Sequence, residues 1–451
     1  MRASSAVTRA HRASPPSTFA RRPRSRAMST VSRASEGDDA PNLLPWLARV
    51  TDDPALESRV ALRHLGDARG RCLVALRNLT PDEVIFNVPF SLVFAEREDD
   101  ARDDQDDLPW SALMAARLLE ERAAKGPLLP WIRSLPSRVS TPPLEYDDTA
   151  LEACHDPAVI AEARDVAAAH ARAAERLAPR LAAADADADD LRWAAGALHS
   201  RCFTHGPRGT HLAVPGVDMC NHREANPTAV VRVVTSPDAC QGTVAAAEVA
   251  DVAARDAAEA GEERYFQLRA GEEGVEEGEE VCISYGPWPN DPFFLYFGFV
   301  PDGNPNDAAT LFEDGDAAAA CAGRLGLVDD AAAKARAGAA RDAAAAVAAA
   351  NGARSERMVI TREGIDGGVV AAAEALGLDG WEALVEGRCR ELLREFPTTL
   401  KEDRAALAEG RVSGEDEATA VRYRMSKKEV LLGPLAAAAA RARAAEQGES
   451  R

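Results

Sequence analysis

The segment from Gly70 to Phe94 contains RCLVALRNLTPDEVIFNVPFSLVF, in which apolar and polar positions alternate and the alternation breaks at Thr80-Pro81-Asp82. Period-two alternation puts one side of an extended chain into a core, so the run predicts two short strands joined by a tight connection. The period then changes. From Ser111 to Lys125 and from Asp147 to Phe203 apolar residues recur at helical spacing, interrupted by the proline-rich PLLPWIRSLPSRVSTPPLEY, which predicts a helical block of about 100 residues. Strand character returns at Leu212 to Val217 and at the β-branched Thr228 to Val234. YFQLRA (Tyr265 to Ala270) and EEVCISYG (Glu279 to Gly286) read as strands on either side of Gly- and Glu-rich turns. From Ala308 onward the chain is alanine-dense and helical, with a boundary near Pro301 to Asp307. The pattern as a whole predicts an α+β chain: a β-rich part interrupted by helices, followed by an all-helical part.

Charge changes this picture in two places. The chain of 451 residues carries 73 acidic and 53 basic residues, a net charge of -20, which repels phosphate backbones and anionic lipid and argues against nucleic acid or a membrane surface as partner. Residues 1–35 run the other way, with eight arginines and no acid among Ser, Ala, Thr and Pro. An acid-free, Arg- and Ser-rich leader without a 7–15-residue apolar stretch reads as an organelle transit peptide, ending near Val31-Ser32-Arg33-Ala34, in preference to the alternative by composition, a disordered basic tail. Without those eight arginines the remainder carries -28. Acidic runs at Glu96 to Asp107 and Glu248 to Glu263 read as solvated segments, although the second holds enough alanine for a helix. No run approaches the roughly 18 apolar residues of a membrane span.

The eight cysteines (Cys72, Cys154, Cys202, Cys220, Cys240, Cys282, Cys321 and Cys389) form no CxxC pair and no Cys/His cluster at zinc spacing. They predict free thiols and no metal site. Glycine-rich nucleotide loops, HExxH and GxSxG are also absent. Three segments remain as candidates for chemistry: the glycine turn Gly70-Arg71-Cys72-Leu73, VPGVDMCNH (Val214 to His222), and EEGEEVCISYGPWPNDPFFLYFGFV (Glu276 to Val300). Each has an ordinary structural explanation by itself, as a cap, a core tyrosine or a bend.

In order, with the helical block between the first two, the segments resemble the SET-domain methyltransferases, and most closely the Rubisco large-subunit lysine methyltransferase group. That family has a glycine turn after its first strand, then D-x-x-N-H, then Y-x-x-x-x-N followed by Y-G-F. This chain has Asp218-Met219-Cys220-Asn221-His222, Tyr285 through Asn290, and Phe297-Gly298-Phe299. WIRSLP (Trp131 to Pro136) and RWAAGALHSRCF (Arg192 to Phe203) look like the group's inserted helices, and REFPTTLKEDRAAL (Arg394 to Leu407) and AVRYRMSKKEVL (Ala420 to Leu431) look like its substrate-binding domain. The resemblance implies a SET domain over residues 42–304 with a helical insert at about 108–205, and a helical substrate-binding domain over 308–447.

It also implies an enzyme that carries a methyl group from S-adenosyl-L-methionine to a lysine of a folded plastid protein such as Rubisco large subunit or aldolase. The same resemblance places it as a monomer in the chloroplast stroma in preference to the mitochondrion. Arg69, Gly70 and Arg71 would then lie against the cofactor, Arg201 near its carboxylate, and Asn221 and His222 on its amino-acid and adenine portions. Tyr285 would line the lysine channel as catalytic residue, with His205, Asp218 and Phe297 on the substrate side. From the residues alone, Asp218 could equally be a turn-stabilising Asx. Two departures stand out: Cys72 where the family has Gly, and Phe297 where it has Tyr. Tyr296, one residue earlier, points a different way, so the channel lacks one hydroxyl and has more room for a methylated amine, which implies addition of more than one methyl group. Two alternatives stay open on this sequence: histidine methylation on the same architecture, and a silent docking protein that keeps only the fold.

Overall fold

The computed structural model describes residues 42–66, 70–96, 108–205, 209–235, 263–351 and 356–448. The leader, Arg69 and nearly all of both acidic runs lie outside the described residues.

Small sheets and a helical insert build the N-terminal half. The two strands read from Gly70 to Phe94 exist, as β2 (Arg71–Ala75) and β3 (Val84–Pro89), and the turn between them bonds Glu83 N–H to the Thr80 carbonyl at 3.0 Å. They do not pair with each other. β2 pairs antiparallel with β1 (Val60–His64), and β3 pairs with β9 (Tyr265–Ala270), which also carries β8 (Ala229–Val234) on its other edge. β1 escaped the sequence reading because its five residues follow directly on a one-turn helix and give too little period to see. A third sheet orders β4 (Phe94–Ala95), β6 (Thr210–Ala213) and β5 (Cys202–His205). The run EEVCISYG contributes only a two-residue strand, β10 (Cys282–Ile283), lying parallel to β7 (Asn221–His222).

The insert forms helices where caps and period agree. Trp110–Ala124, Leu129–Ser134, Pro157–Ala183 and Ala188–His199 are its longer members. The third starts with Pro at its first position, where the missing N–H costs nothing, and the Asp156 carboxylate accepts from the N–H groups of Ala158 and Val159. Asp187 and Asp190 close a capping box at the start of the fourth. The buried faces of these helices and the sheet residues Leu73, Phe86, Leu212 and Leu268 share one core, which also takes in Leu43 and Leu47 of the helix Leu43–Val50.

A second core lies C-terminal, built from Leu311, Phe312, Ile360, Leu376, Leu384 and Leu431 among others. The helical reading after Ala308 holds for Gly315–Arg324, Asp330–Ala350, Gly367–Ala375, Glu382–Glu395, Leu400–Ala408 and Glu415–Gly448. One feature was not read: β11 (Ala308–Phe312) and β12 (Met358–Thr361) form a two-stranded antiparallel sheet against these helices. A smaller cluster of Leu151, Ile160, Phe294, Ala420 and Tyr423 joins the insert to the helix Glu415–Gly448, with the Phe294 and Tyr423 rings stacked at 4.7 Å.

The insert also encloses a group of imidazoles. The His199 ring lies 5.1 Å from Trp110, 5.7 Å from His170 and 5.2 Å from Tyr296, and its Nε2 is buried with no hydrogen-bond partner. Burial, then the neighbouring imidazoles of His170 and His211, lower its pKa to about 3. An unfolded chain binds this proton near pH 6.5 while the fold resists it, so the contribution is fully present above pH 6.5 and is lost as pH falls toward 3. Thermal unfolding should show a loss on the order of 2 kcal/mol by pH 5. His199→Phe should flatten that slope; an unchanged slope would contradict the assignment.

Candidate active site

The parallel pair β7–β10 brings two of the three candidate segments side by side, with Asn221 opposite Cys282 and His222 opposite Ile283. The Thr228 hydroxyl pins this junction, accepting from Cys282 N–H at 2.8 Å and donating to the Glu280 carbonyl at 2.8 Å. Beyond the short strand the chain reaches Tyr285. Its backbone N–H donates to His222 Nδ1 at 3.1 Å, and its hydroxyl donates to the Cys220 carbonyl at 2.8 Å. Tyr285 therefore crosses back over the Asn-His segment and is tied to it at both ends.

Those bonds settle several chemical states. Because His222 Nδ1 accepts, its proton sits on Nε2, which lies 3.6 Å from Glu224 Oε2. Burial lowers the His222 pKa against the pull of Glu224, so the ring is neutral. Burial also raises the Tyr285 phenol, which stays protonated at any working pH. Its one O–H is spent on Cys220, leaving the oxygen lone pairs as the available function. The Asn221 amide donates to Glu280 Oε1 at 2.7 Å, fixing which end of the amide is nitrogen.

Aromatic rings wall this region. Tyr285 stands 5.2 Å from Phe297 and 6.4 Å from Phe299, and Phe293 stands 4.7 Å from His222 and 5.5 Å from Phe297. The FFLYF stretch Phe293–Phe297 is a single π-helical turn, a widened turn that recurs at functional sites. It directs Phe297 to the Tyr285 side. Tyr296 faces away, stacking on His199 and donating its hydroxyl to Glu162 at 2.7 Å, so it supplies no replacement hydroxyl.

Arg201 enters from the other side. It donates Nη1 to the Asp218 carbonyl, and its Nε is buried with no hydrogen-bond partner. An unspent guanidinium donor in the interior is a binding capacity awaiting an acceptor. That observation fits the α-carboxylate of an amino-acid-like ligand. Gly70 lies at the end of the β1–β2 connection, donating to the Gly66 carbonyl and accepting from Leu65 N–H, and space is open where a side chain would stand. Arg71 opens β2 and its guanidinium donates to the Ser134 carbonyl, while Cys72 turns into the core with its thiol 3.7 Å from the Arg63 carbonyl.

The Asp218 carboxylate is fully buried, accepting from Trp131 Nε1 at 3.0 Å and from Gly216 N–H at 2.9 Å, with Arg201 at 3.8 Å. It ties the insert to the site, and its bond to Gly216 runs to a donor two residues before it, the reverse of an Asx turn. Burial raises its pKa, opposed by Arg201 and Trp131. His205 ends β5, and its side chain, like Arg69, lies outside the described residues. Glu280 was missed by sequence reasoning because it sits in a run of acids that reads as solvated. The signal was its place one residue before Val281-Cys282-Ile283, where Glu280 is buried at 4% exposure. Among the described residues no group of three His, Cys, Asp or Glu is placed to hold a metal ion, and no helix is long and apolar enough to cross a membrane.

Comparison with known proteins agrees with this architecture. Residues 380–431 match the family model described as Rubisco LSMT substrate-binding. None of the curated proteins compared matches the chain. Solved structures do. The SET domain of LSMT bound to lysine and AdoHcy is 19% identical, with a TM-score of 0.57 over 87% of this chain and 90% of that one. Rubisco LSMT bound to AdoMet is 19% identical, with a TM-score of 0.58 over 88% and 90%. The same protein bound to sinefungin and monomethyllysine is 19% identical, with a TM-score of 0.58 over 87% and 90%. The chain thus has the fold of the Rubisco LSMT structures along most of its length, and a C-terminal helical region that matches the Rubisco LSMT substrate-binding family.

Proposed function

We propose that this protein is an S-adenosyl-L-methionine-dependent protein-lysine N-methyltransferase acting on a folded plastid protein, with Rubisco large subunit or aldolase as the first candidates. The observation that carries the reading is Tyr285: a protonated phenol, its O–H spent on the Cys220 carbonyl, set among Phe293, Phe297 and Phe299 beside an Arg201 donor with no partner. Solved structures of this fold hold AdoMet, lysine or monomethyllysine.

The bound cofactor would supply an electrophilic methyl group on a sulfonium. Arg201 and the Asn221–His222 segment would hold its amino-acid end, and the open backbone at Gly70, together with Arg69 and Arg71, would lie along it. The rest of the chemistry falls to the chain. A lysine amine is almost fully protonated at neutral pH, and an aromatic wall disfavours its charged form, lowering its pKa without a carboxylate base. Tyr285 Oη accepts an N–H from the neutral amine, which turns the nitrogen lone pair along the line of displacement. The phenol takes no proton, since burial keeps its own proton in place. The reading divides the chain into a SET domain over 42–304 and a substrate-binding domain over 308–447, with residues 1–35 directing it to the stroma.

The direct test is calorimetry. S-adenosyl-L-methionine should bind with a single site, and Arg201→Met should weaken it; no binding at all would remove this reading. Phe297 leaves the acceptor end of the channel one hydroxyl short. Wild type should therefore carry a lysine past monomethylation, and Phe297→Tyr should stop earlier, both read by mass spectrometry of the product. Identical monomethyl product from both proteins would contradict this.

A further inference from the structure

Four large apolar side chains among the described residues are exposed beyond a third, and Trp288, at 48%, is the most exposed. It stands three residues past Tyr285 and is held in one pose. The indole Nε1 donates to the Tyr285 carbonyl at 3.0 Å, and the Trp288 N–H donates to the Gly286 carbonyl at 2.8 Å. Gly286 has φ +112°, and a Cβ there would come within 2.8 Å of the indole nitrogen, so only glycine lets the ring fold back in this way. Pro287 and Pro289 flank the tryptophan and stiffen the loop.

The loop is also braced from below. The Trp288 carbonyl accepts from Asn304 Nδ2 at 2.9 Å, and Asn304 also donates to Asn290 Oδ1 at 2.8 Å. Asn290 is fully buried and donates to Asp307 Oδ2 at 3.0 Å, and Asp307 in turn accepts from Lys427 Nζ at 2.8 Å. A chain of buried polar bonds thus runs from the helix Glu415–Gly448 to the tryptophan's backbone.

A large ring kept exposed while its backbone is fixed on both sides is suited to binding, because its ordering entropy has been met before a partner arrives. Tryptophan is among the commonest anchors of protein interfaces. Here its one hydrogen-bond donor is spent on Tyr285, so what it offers is carbon surface. Its bond to the Tyr285 carbonyl sets that surface three residues along the chain from the residue proposed to line the acceptor channel. We propose that Trp288 is a substrate-docking residue whose ring face takes an apolar side chain flanking the acceptor lysine. This rests on the methyltransferase reading above.

The test uses the full protein and short randomised peptides with one central lysine, scored for methyl incorporation by mass spectrometry. Wild type should enrich Leu, Ile, Met or Phe at one flanking position. Trp288→Ala should lose that enrichment and raise KM for the enriched peptide about tenfold, with kcat and the calorimetric cofactor affinity within about twofold. Trp288→Phe keeps a ring face but not the indole N–H, and should retain most of the affinity. Several results overturn the proposal: enrichment that survives Trp288→Ala, enrichment of Lys or Arg in place of apolar residues, or Trp288→Phe losing kcat as a mere strut for the Tyr285 carbonyl would. A wild type that binds the cofactor but selects no flanking residue, or methylates no peptide, overturns it alone; one that fails to bind the cofactor overturns the methyltransferase reading with it.

Discussion

Tyr285→Phe should lower kcat for methyl transfer by about 10²-fold or more while cofactor affinity stays within about twofold. The change removes one oxygen and nothing else. The ring keeps its place among Phe293, Phe297 and Phe299, and the backbone bond to His222 Nδ1 does not involve the side chain. What is lost is the oxygen proposed to orient the amine, together with the bond that holds it at the Cys220 carbonyl. In-line displacement is sensitive to such misalignment because the protein contributes mainly geometry. Single-turnover kinetics separates this from binding: a mutant with a normal chemical step would remove Tyr285 from the catalytic role.

Asp403→Ala should destabilise the C-terminal region by about 3–5 kcal/mol, read by chemical denaturation. Asp403 is fully buried and meets two cations, Arg424 through Nη2 at 2.8 Å and Lys428 through Nζ at 2.5 Å, with the Thr398 hydroxyl at 2.7 Å. Burial by itself would raise the carboxyl pKa, but hydrogen bonds from Arg424, Lys428 and Thr398 carry it below its ordinary value. Its stabilisation is accordingly present above the ordinary carboxylate range and lost on acidification through the lowered pKa. Without Asp403 two buried cations stand together, and Arg424 Nη1 remains bonded to the Ala153 carbonyl across to the insert. A loss below about 1 kcal/mol would place these charges in contact with solvent and contradict the packing.

That cluster explains why the C-terminal region could be read from sequence. REFPTTLKEDRAAL and AVRYRMSKKEVL, two segments apart in the chain, supply the acid and its two bases, so the pattern that stands out in sequence is one ionic contact. The SET motifs were legible for a similar reason. Asn221, His222 and Tyr285 converge because β7 and β10 are adjacent, and their order along the chain encodes that adjacency. Strand pairing was not legible. β2 and β3 are consecutive and join different sheets, since each finds its partner through long-range burial and not through the turn between them. β11 and β12 were hidden by the alanine-rich sequence around them. The burial of Asp218 was not legible because a motif position states which residue occurs and not whether its carboxylate faces water; the Trp131 indole bonded to it lies 87 residues away in the chain. Glu280 and Trp288 escaped notice because composition classes one with solvated acids and the other with core aromatics, and burial reverses both.

The activity proposed for this protein is transfer of a methyl group to a lysine of another protein. The chain lacking residues 1–35, incubated with methyl-labelled S-adenosyl-L-methionine and a stromal extract, should place label on a lysine Nε of a folded protein, mapped by tandem mass spectrometry, and Tyr285→Phe should slow that labelling by about 10²-fold or more. Label found on a histidine ring, or no label from a protein that binds the cofactor in calorimetry, would contradict the account.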